Sequence, residues 1–147
     1  MAEDLTISKG TKAEQYQNLL PQLQGLLSGE TDFVANMANT CAALKEQFGW
    51  LWVGFYVVKQ DELVLGPFQG PVACTRIKKG RGVCGTCWQQ EKTIVERMCT
   101  AFPAILPAAV CQTPRSLFRF VKMGRSWAFW MSIAQNMPIL MMRTGTI

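Results

Sequence analysis

Trp50-Leu51-Trp52-Val53-Gly54-Phe55-Tyr56-Val57-Val58, then Gln60-Asp61, then Leu63-Val64-Leu65, is the stretch on which the architecture turns. An aromatic and β-branched run, broken by two polar residues and resumed by apolar ones, predicts a β-hairpin. Alternation puts Trp52, Gly54 and Tyr56 on one face, so the two rings act together, either as strand core or as the wall of a pocket. Gly66-Pro67 closes the second strand. Ala73 to Ile77 reads as a third strand, Gly80 to Gly82 as a tight turn, Val83 to Gln90 as a short helix and Thr93 to Val95 as the start of another strand.

Upstream, Tyr16, Leu19, Leu20, Leu23, Leu26 and Leu27 recur at helical spacing, which predicts an amphipathic helix over Ala13 to Leu27. Pro21 falls inside it. An interior proline costs about 3 kcal/mol, so a kink or a restart is expected there. Gly29 is a stop, and Thr31 or Asp32 can cap a second helix carrying Phe33, Met37, Cys41, Leu44 and Phe48 on one side. Cys41, on that stripe, is expected in the core. Two helices, antiparallel strands and a further helix make an α+β order.

With 147 residues, 49% hydrophobic and 17% charged, the chain suits one globular domain. No apolar stretch approaches the roughly 20 residues needed to span a bilayer, and residues 1–10 carry neither block of a secretory signal. A cytoplasmic protein is expected, where six cysteines are reduced, catalytic or metal-bound sooner than a disulfide framework. The net charge of +5 is distributed unevenly. Residues 1–96 hold all ten acidic and nine basic side chains; residues 97–147 hold six basic, no acidic and six of the eight methionines. So abrupt a break inside one domain requires a cause.

Cys74 and Cys84 flank the basic, glycine-broken turn Lys78-Lys79-Gly80-Arg81-Gly82, in a chain without histidine. Neighbouring cations favour the thiolate, the form that attacks electrophilic sulfur. Cys84 also lies near a predicted helix N-terminus, which stabilises a thiolate. The bland alternative is a pair of small core residues.

Trp52-Val53-Gly54-Phe55-Tyr56, then Leu65-Gly66-Pro67-Phe68-Gln69-Gly70, then Cys74 through Gly85, resembles the free methionine-R-sulfoxide reductases, which are built on a GAF domain. The match runs from about Tyr16 to Val95. The resemblance implies a central antiparallel sheet of about six strands flanked by helices. It also implies reduction of free methionine-R-sulfoxide by a cysteine, a second cysteine that resolves the sulfenic acid as a disulfide, and thioredoxin as external reductant with no bound cofactor. By position, Cys74 resembles the resolving cysteine and Cys84 the second cysteine of the motif. Trp52 and Tyr56 resemble aromatic residues lining the substrate pocket. Self-pairing, allowed to intact members, is left open.

Beyond Glu96 the family pattern should continue with D-V-H, G-H-I-A-C bearing the nucleophile, and G-x-x-x-G-V-L-D-x-D, none of which is written in this chain. The genetic code supplies a cause. One base out of register, Met123-Gly124 encodes only Asn or Asp followed by Gly, Trp127-Ala128 forces Gly, Phe129-Trp130 forces Leu and Trp130-Met131 forces Asp. Those residues spell the missing G-x-x-x-G-x-L-D. Ala104 to Ala109 permits H-I-A-C-S in the same way. The chain therefore divides into residues 1–96, the N-terminal part of a GAF domain, and 97–147, a basic, Met-rich tail translated out of frame. Two strands and a closing helix are expected to be lost with it, leaving apolar faces uncovered and the chain unstable and inactive. Cys99 and Cys111 lie in the tail, outside the family's motif.

Three rival readings are weaker. Cys84-Gly85-Thr86-Cys87 is a C-x-x-C that Cys74, Cys99 or Cys111 could complete as a metal site, but a second paired knuckle is missing. A GAF domain can also bind small molecules without catalysis. Arg115, Arg119, Lys122 and Arg125 have helical spacing with Phe118, Phe120 and Trp127 between them, a pattern for a membrane or nucleic-acid contact; neither partner is expected.

Overall fold

The computed structural model describes residues 4–96, 115–123 and 126–134. Helix α1 spans Lys12–Leu27 and starts on a capping box, in which the Thr11 hydroxyl accepts from Glu14 N and the Glu14 carboxylate accepts from Thr11 N. Pro21 neither ends nor restarts it. Gln17 and Pro21 are both exposed, so a carbonyl left without its donor by the proline has water to bond to, while Leu19 is buried. Leu20, 41% exposed, drops out of the predicted stripe. Helix α2, Phe33–Phe48, is capped by the Asp32 carboxylate on Ala35 N and ends on Gly49 at φ 62, the left-handed conformation glycine adopts without strain. Met37, Cys41 and Leu44 are buried on it as expected.

Strands β1 (Trp52–Lys59) and β2 (Glu62–Gln69) form the predicted hairpin. The second strand does not stop at Gly66-Pro67. Pairing resumes beyond them, with Gly54 opposite Phe68 and Tyr56 opposite Leu65, so Gly66 and Pro67 form a bulge facing Phe55. A bulge is where a strand tolerates a residue with no N–H to give. The third strand is shorter than predicted: β3 is Arg76–Lys78, and Ala73 to Thr75 are a connection outside it, with a bend at Thr75. Helix α3 is Gly82–Gln90 and β4 is Ile94–Glu96.

Strands β5 (Arg115–Met123) and β6 (Ser126–Ala134) complete an antiparallel six-stranded sheet of order β3-β2-β1-β6-β5-β4, with Trp52 opposite Ile133 and Val57 opposite Ala128. The expectation that the tail leaves the sheet two strands short is thereby corrected. Leu117-Phe118-Arg119-Phe120-Val121 and Trp127-Ala128-Phe129-Trp130 are aromatic and β-branched enough to pair as strands, whatever frame produced them. A strand also removes the common helical face proposed for Arg115, Arg119 and Lys122. The expected closing helix, Cys99, Cys111 and Ala104 to Ala109 lie outside the described residues.

The strands of the hairpin separate two cores. On one face Val53 and Phe55 pack with Leu19, Met37, Cys41, Leu44 and Trp50 under α1 and α2. On the other, Trp52 and Tyr56 pack with Leu63, Cys87 and Trp88 under α3. Lys45 Nζ donates to the carbonyls of Trp50 and Leu51, tying the end of α2 to the entry of β1. The N-terminal strap is held by two amides: Gln22 bonds both ways to the backbone of Thr6, and the buried Gln47 does the same to Ser8. Helix α3 approaches the β3 turn so closely that a Cβ on Gly85 would lie 2.4 Å from Lys78 O and 3.1 Å from Gly80 N. Gly85→Ala is expected to lower stability by about 2 kcal/mol, because backbone on both sides must shift. An unchanged urea midpoint would contradict this close approach.

Candidate functional site

β1 builds the site by presenting two amphipathic rings to the connection between β2 and β3. The Trp52 indole donates to Pro71 O at 3.1 Å and the Tyr56 hydroxyl to Cys74 O at 2.8 Å, while Thr75 O accepts from Leu65 N at 2.9 Å. Three carbonyls of residues 71–75 are thus held toward the sheet. Trp52 lies between two other rings, stacked 5.5 Å from Phe68 at 14° and 6.3 Å from Tyr56 at 23°. Gly54 makes that stack possible: a Cβ there would meet Phe68 Cβ at 2.4 Å and the Trp52 ring at 2.6 Å. Both Trp52 and Tyr56 are buried, at 3% and 1% exposure.

The structure brings Cys74, Cys84 and Tyr56 into one neighbourhood, close enough that the two thiols raise the Tyr56 pKa, after burial has done so first. The thiols differ in setting. Cys74 is exposed on the connection. Cys84 is the third residue of α3, half-buried against the Trp52, Tyr56 and Cys87 cluster. Burial works against the expected thiolate at Cys84: it pushes the pKa up to about 12, Cys87 and Cys74 add to the rise, and a backbone hydrogen bond offsets it only in part. A helix N-terminus contributes about 0.3–1 kcal/mol, less than one pKa unit, and desolvation outweighs it.

Three residues named in the sequence take contacts at the site that the sequence did not reveal. Phe68 stood in the quoted Gly66-Pro67-Phe68 motif, but only the bulge brings it beside Trp52. Cys87, fully buried, donates its S–H to Lys92 O at 2.8 Å and so ties the end of α3 to the chain that leaves it. Lys79 lies over the Trp88 ring, 5.1 Å from its centroid. Among the described residues no three metal-ligating side chains gather, and no helix is long and apolar enough to cross a membrane.

Removing the phenol tests the clamp on Cys74. Tyr56→Phe is expected to cost about 1 kcal/mol, the net worth of one hydrogen bond, and to raise amide hydrogen exchange selectively over residues 71–75. Unaltered exchange there would mean that the bond does not hold the connection.

No protein-family model matches the chain. GAF domain-containing protein A of Dictyostelium discoideum is 58% identical to it over 125 residues, 84% of this chain and 79% of that protein. The free methionine-R-sulfoxide reductase of Escherichia coli is 53% identical over 76 residues, and the chain spans only about half of that enzyme, 46% of its length. Among solved structures, the free methionine-R-sulfoxide reductase of Neisseria meningitidis in complex with its substrate superimposes with a TM-score of 0.77 at 42% identity, over 90% of this chain and 81% of that one. On the sheet order, the helices that cover both of its faces and these similarities, the chain belongs to the free methionine-R-sulfoxide reductase family, oxidoreductases built on the GAF fold.

Proposed function

We propose that the protein encoded in the uninterrupted frame reduces free methionine-R-sulfoxide by thiol chemistry and is regenerated by thioredoxin, with Cys74 as the resolving cysteine, Cys84 as its neighbour and Trp52 and Tyr56 beside the substrate's methyl end. The chain as written keeps these four residues but lacks the nucleophile's motif, and is inactive. The observation that carries the reading is the pairing of Cys74 with the β1 aromatics, through Tyr56 and its 2.8 Å hydrogen bond, in a fold that a substrate-bound relative shares. The change of composition after Glu96 and the out-of-frame motif support the division into residues 1–96 and an aberrant tail.

The chemistry balances without a bound cofactor. A cysteine thiolate attacks the sulfoxide sulfur, the oxygen passes to the cysteine as a sulfenic acid, and methionine leaves. A second thiol condenses with the sulfenic acid, releases water and closes a disulfide, which an external dithiol returns to two thiols. Cys74, exposed, is the cysteine such a reductant can reach.

A ligand-binding GAF module without catalysis is the second reading, favoured by the neutral, half-buried Cys84. The frame-restored protein separates the two. Consumption of free methionine-R-sulfoxide that needs thioredoxin, and is lost in Cys74→Ser, supports the reductase. Binding of the sulfoxide with no consumption supports the module and overturns the reductase.

A further inference from the structure

We propose that the connection Pro71–Thr75, continued by strand β3, is the docking edge for the site's reductant, and that the partner it fits is an acidic dithiol protein that adds alongside β3 as a strand. This deepens the thioredoxin reading above and rests on it.

Three features of the fold carry the inference. First, β3 is the outermost strand of the sheet, so the chain from Cys74 onward runs straight into an edge that can take another strand. Secondly, the connection is fixed before any partner arrives. Trp52, Tyr56 and Leu65 N hold the carbonyls of Pro71, Cys74 and Thr75 inward, so little conformational freedom remains to be lost on binding. Val72 and Cys74 are both exposed, with half-buried Ala73 between them, which puts the thiol and an apolar side chain on the same outward side. Val72 is 96% exposed, an extreme position for valine unless something covers it.

Thirdly, charge selects the partner. From Leu63 to Gln90 the sequence has four basic residues and no acidic one. All four, Arg76, Lys78, Lys79 and Arg81, are exposed around the turn that follows Cys74. Arg76 is paired with Glu62 at 3.1 Å and Lys79 lies on the Trp88 ring, which leaves Lys78 and Arg81 as the cations best placed to meet an incoming acidic surface. Such a rim speeds encounter with an acidic protein and repels a basic one.

The exchange itself needs only the partner's two thiols. One partner thiolate attacks Cys74 Sγ in a disulfide, the S–S bond breaks and the other sulfur leaves as a thiolate. The partner's second thiolate then attacks its own sulfur in the mixed disulfide. Cys74 departs as a thiolate that takes up a proton, and the partner leaves oxidised by two electrons.

The test uses the full chain carrying Cys99→Ser and Cys111→Ser, with Cys74 converted to its mixed disulfide with 2-nitro-5-thiobenzoate and single labelling confirmed by mass. Release of the coloured thiolate is followed with reduced thioredoxin of net negative charge and, separately, with dithiothreitol. The thioredoxin rate is expected to fall about tenfold between low salt and half-molar salt. It should fall about tenfold again in Lys78→Glu/Arg81→Glu at low salt, and several-fold in Val72→Glu, with the dithiothreitol rate changing by no more than about twofold. Equal thioredoxin rates in the parent and charge-reversed chains would overturn the docking edge. So would a parallel fall with dithiothreitol, which would show the thiol itself to be altered. Discharge by thioredoxin in this pattern, combined with no sulfoxide consumption by the frame-restored protein, would overturn the substrate reading and leave the docking edge standing.

Discussion

Free methionine-R-sulfoxide incubated with this chain and excess reduced thioredoxin is expected to remain unconsumed, while the protein translated after restoring one base near the Glu96 codon consumes it about 1,000-fold faster or more, the scale of loss when a nucleophile is removed. The reason lies in what the two described thiols of the site can do. Burial pushes the Cys84 pKa up to about 12, which disfavours the thiolate that a nucleophile needs near neutral pH. Cys74 is exposed on a connection clamped by Trp52 and Tyr56, and is proposed above as the resolving thiol, not the nucleophile. Chromatographic quantification of methionine in both reactions decides the point. Equal turnover by the two chains would remove the out-of-frame account of residues 97–147, and so would stop codons appearing within a few residues of the restored base.

Alkaline pH should destabilise the protein steadily above pH 9 and unfold it by about pH 11. Cys41 and Cys84 are held as neutral thiols, with pKa values pushed from 9.0 up to about 12, by burial first and at Cys84 also by the neighbouring thiols. In the unfolded chain both ionise near 9. Above that pH the unfolded state binds fewer protons than the folded state, so stability falls as pH rises, and the loss continues until the folded groups titrate near pH 12. Each group contributes about 1.4 kcal/mol per pH unit, hence about 3 kcal/mol per unit for the pair. Tyr16, raised by burial from 10.0 to about 12, steepens the fall above pH 10. By about pH 11 the loss is comparable with the ~5–15 kcal/mol stability of a typical domain. Urea midpoints measured from pH 8 upward should decline steadily above pH 9, and Cys41→Ala should give a shallower decline. A profile flat to pH 10.5 would mean that the two thiols are not buried as described.

How much of this was legible in the sequence depended on whether a local rule had a tertiary competitor. The hairpin, both long helices, the Asp32 cap and the burial of Cys41 follow from periodicity and capping chemistry, which the tertiary fold leaves unopposed. Pro21 and Pro67 were misread for a common reason. A proline is a breaker only where its missing N–H and its ring meet a constraint, and here one faces solvent on α1 while the other occupies a bulge. The site was half legible. Alternation along β1 put Trp52 and Tyr56 on one face, but their bonds to Pro71 O and Cys74 O depend on a loop path that no periodicity encodes. For Cys84 the helix terminus was visible and the burial, which raises its pKa, was not. The strands at 115–123 and 126–134 show the converse: the absence of the family's motifs there concealed aromatic and β-branched runs that pair as strands by propensity alone.

Strand β1 is a wall shared by both cores, hydrogen-bonded to β2 on one side and to β6 on the other. Its first neighbour is synthesised immediately, but the second emerges 67 residues after Lys59, at Ser126. At about 5–20 residues per second on the ribosome, the naked flank of β1 waits for roughly 3–13 s. During that interval another nascent chain can occupy the vacant side, so yield in cells should depend on growth temperature and on translation speed through codons 60–125.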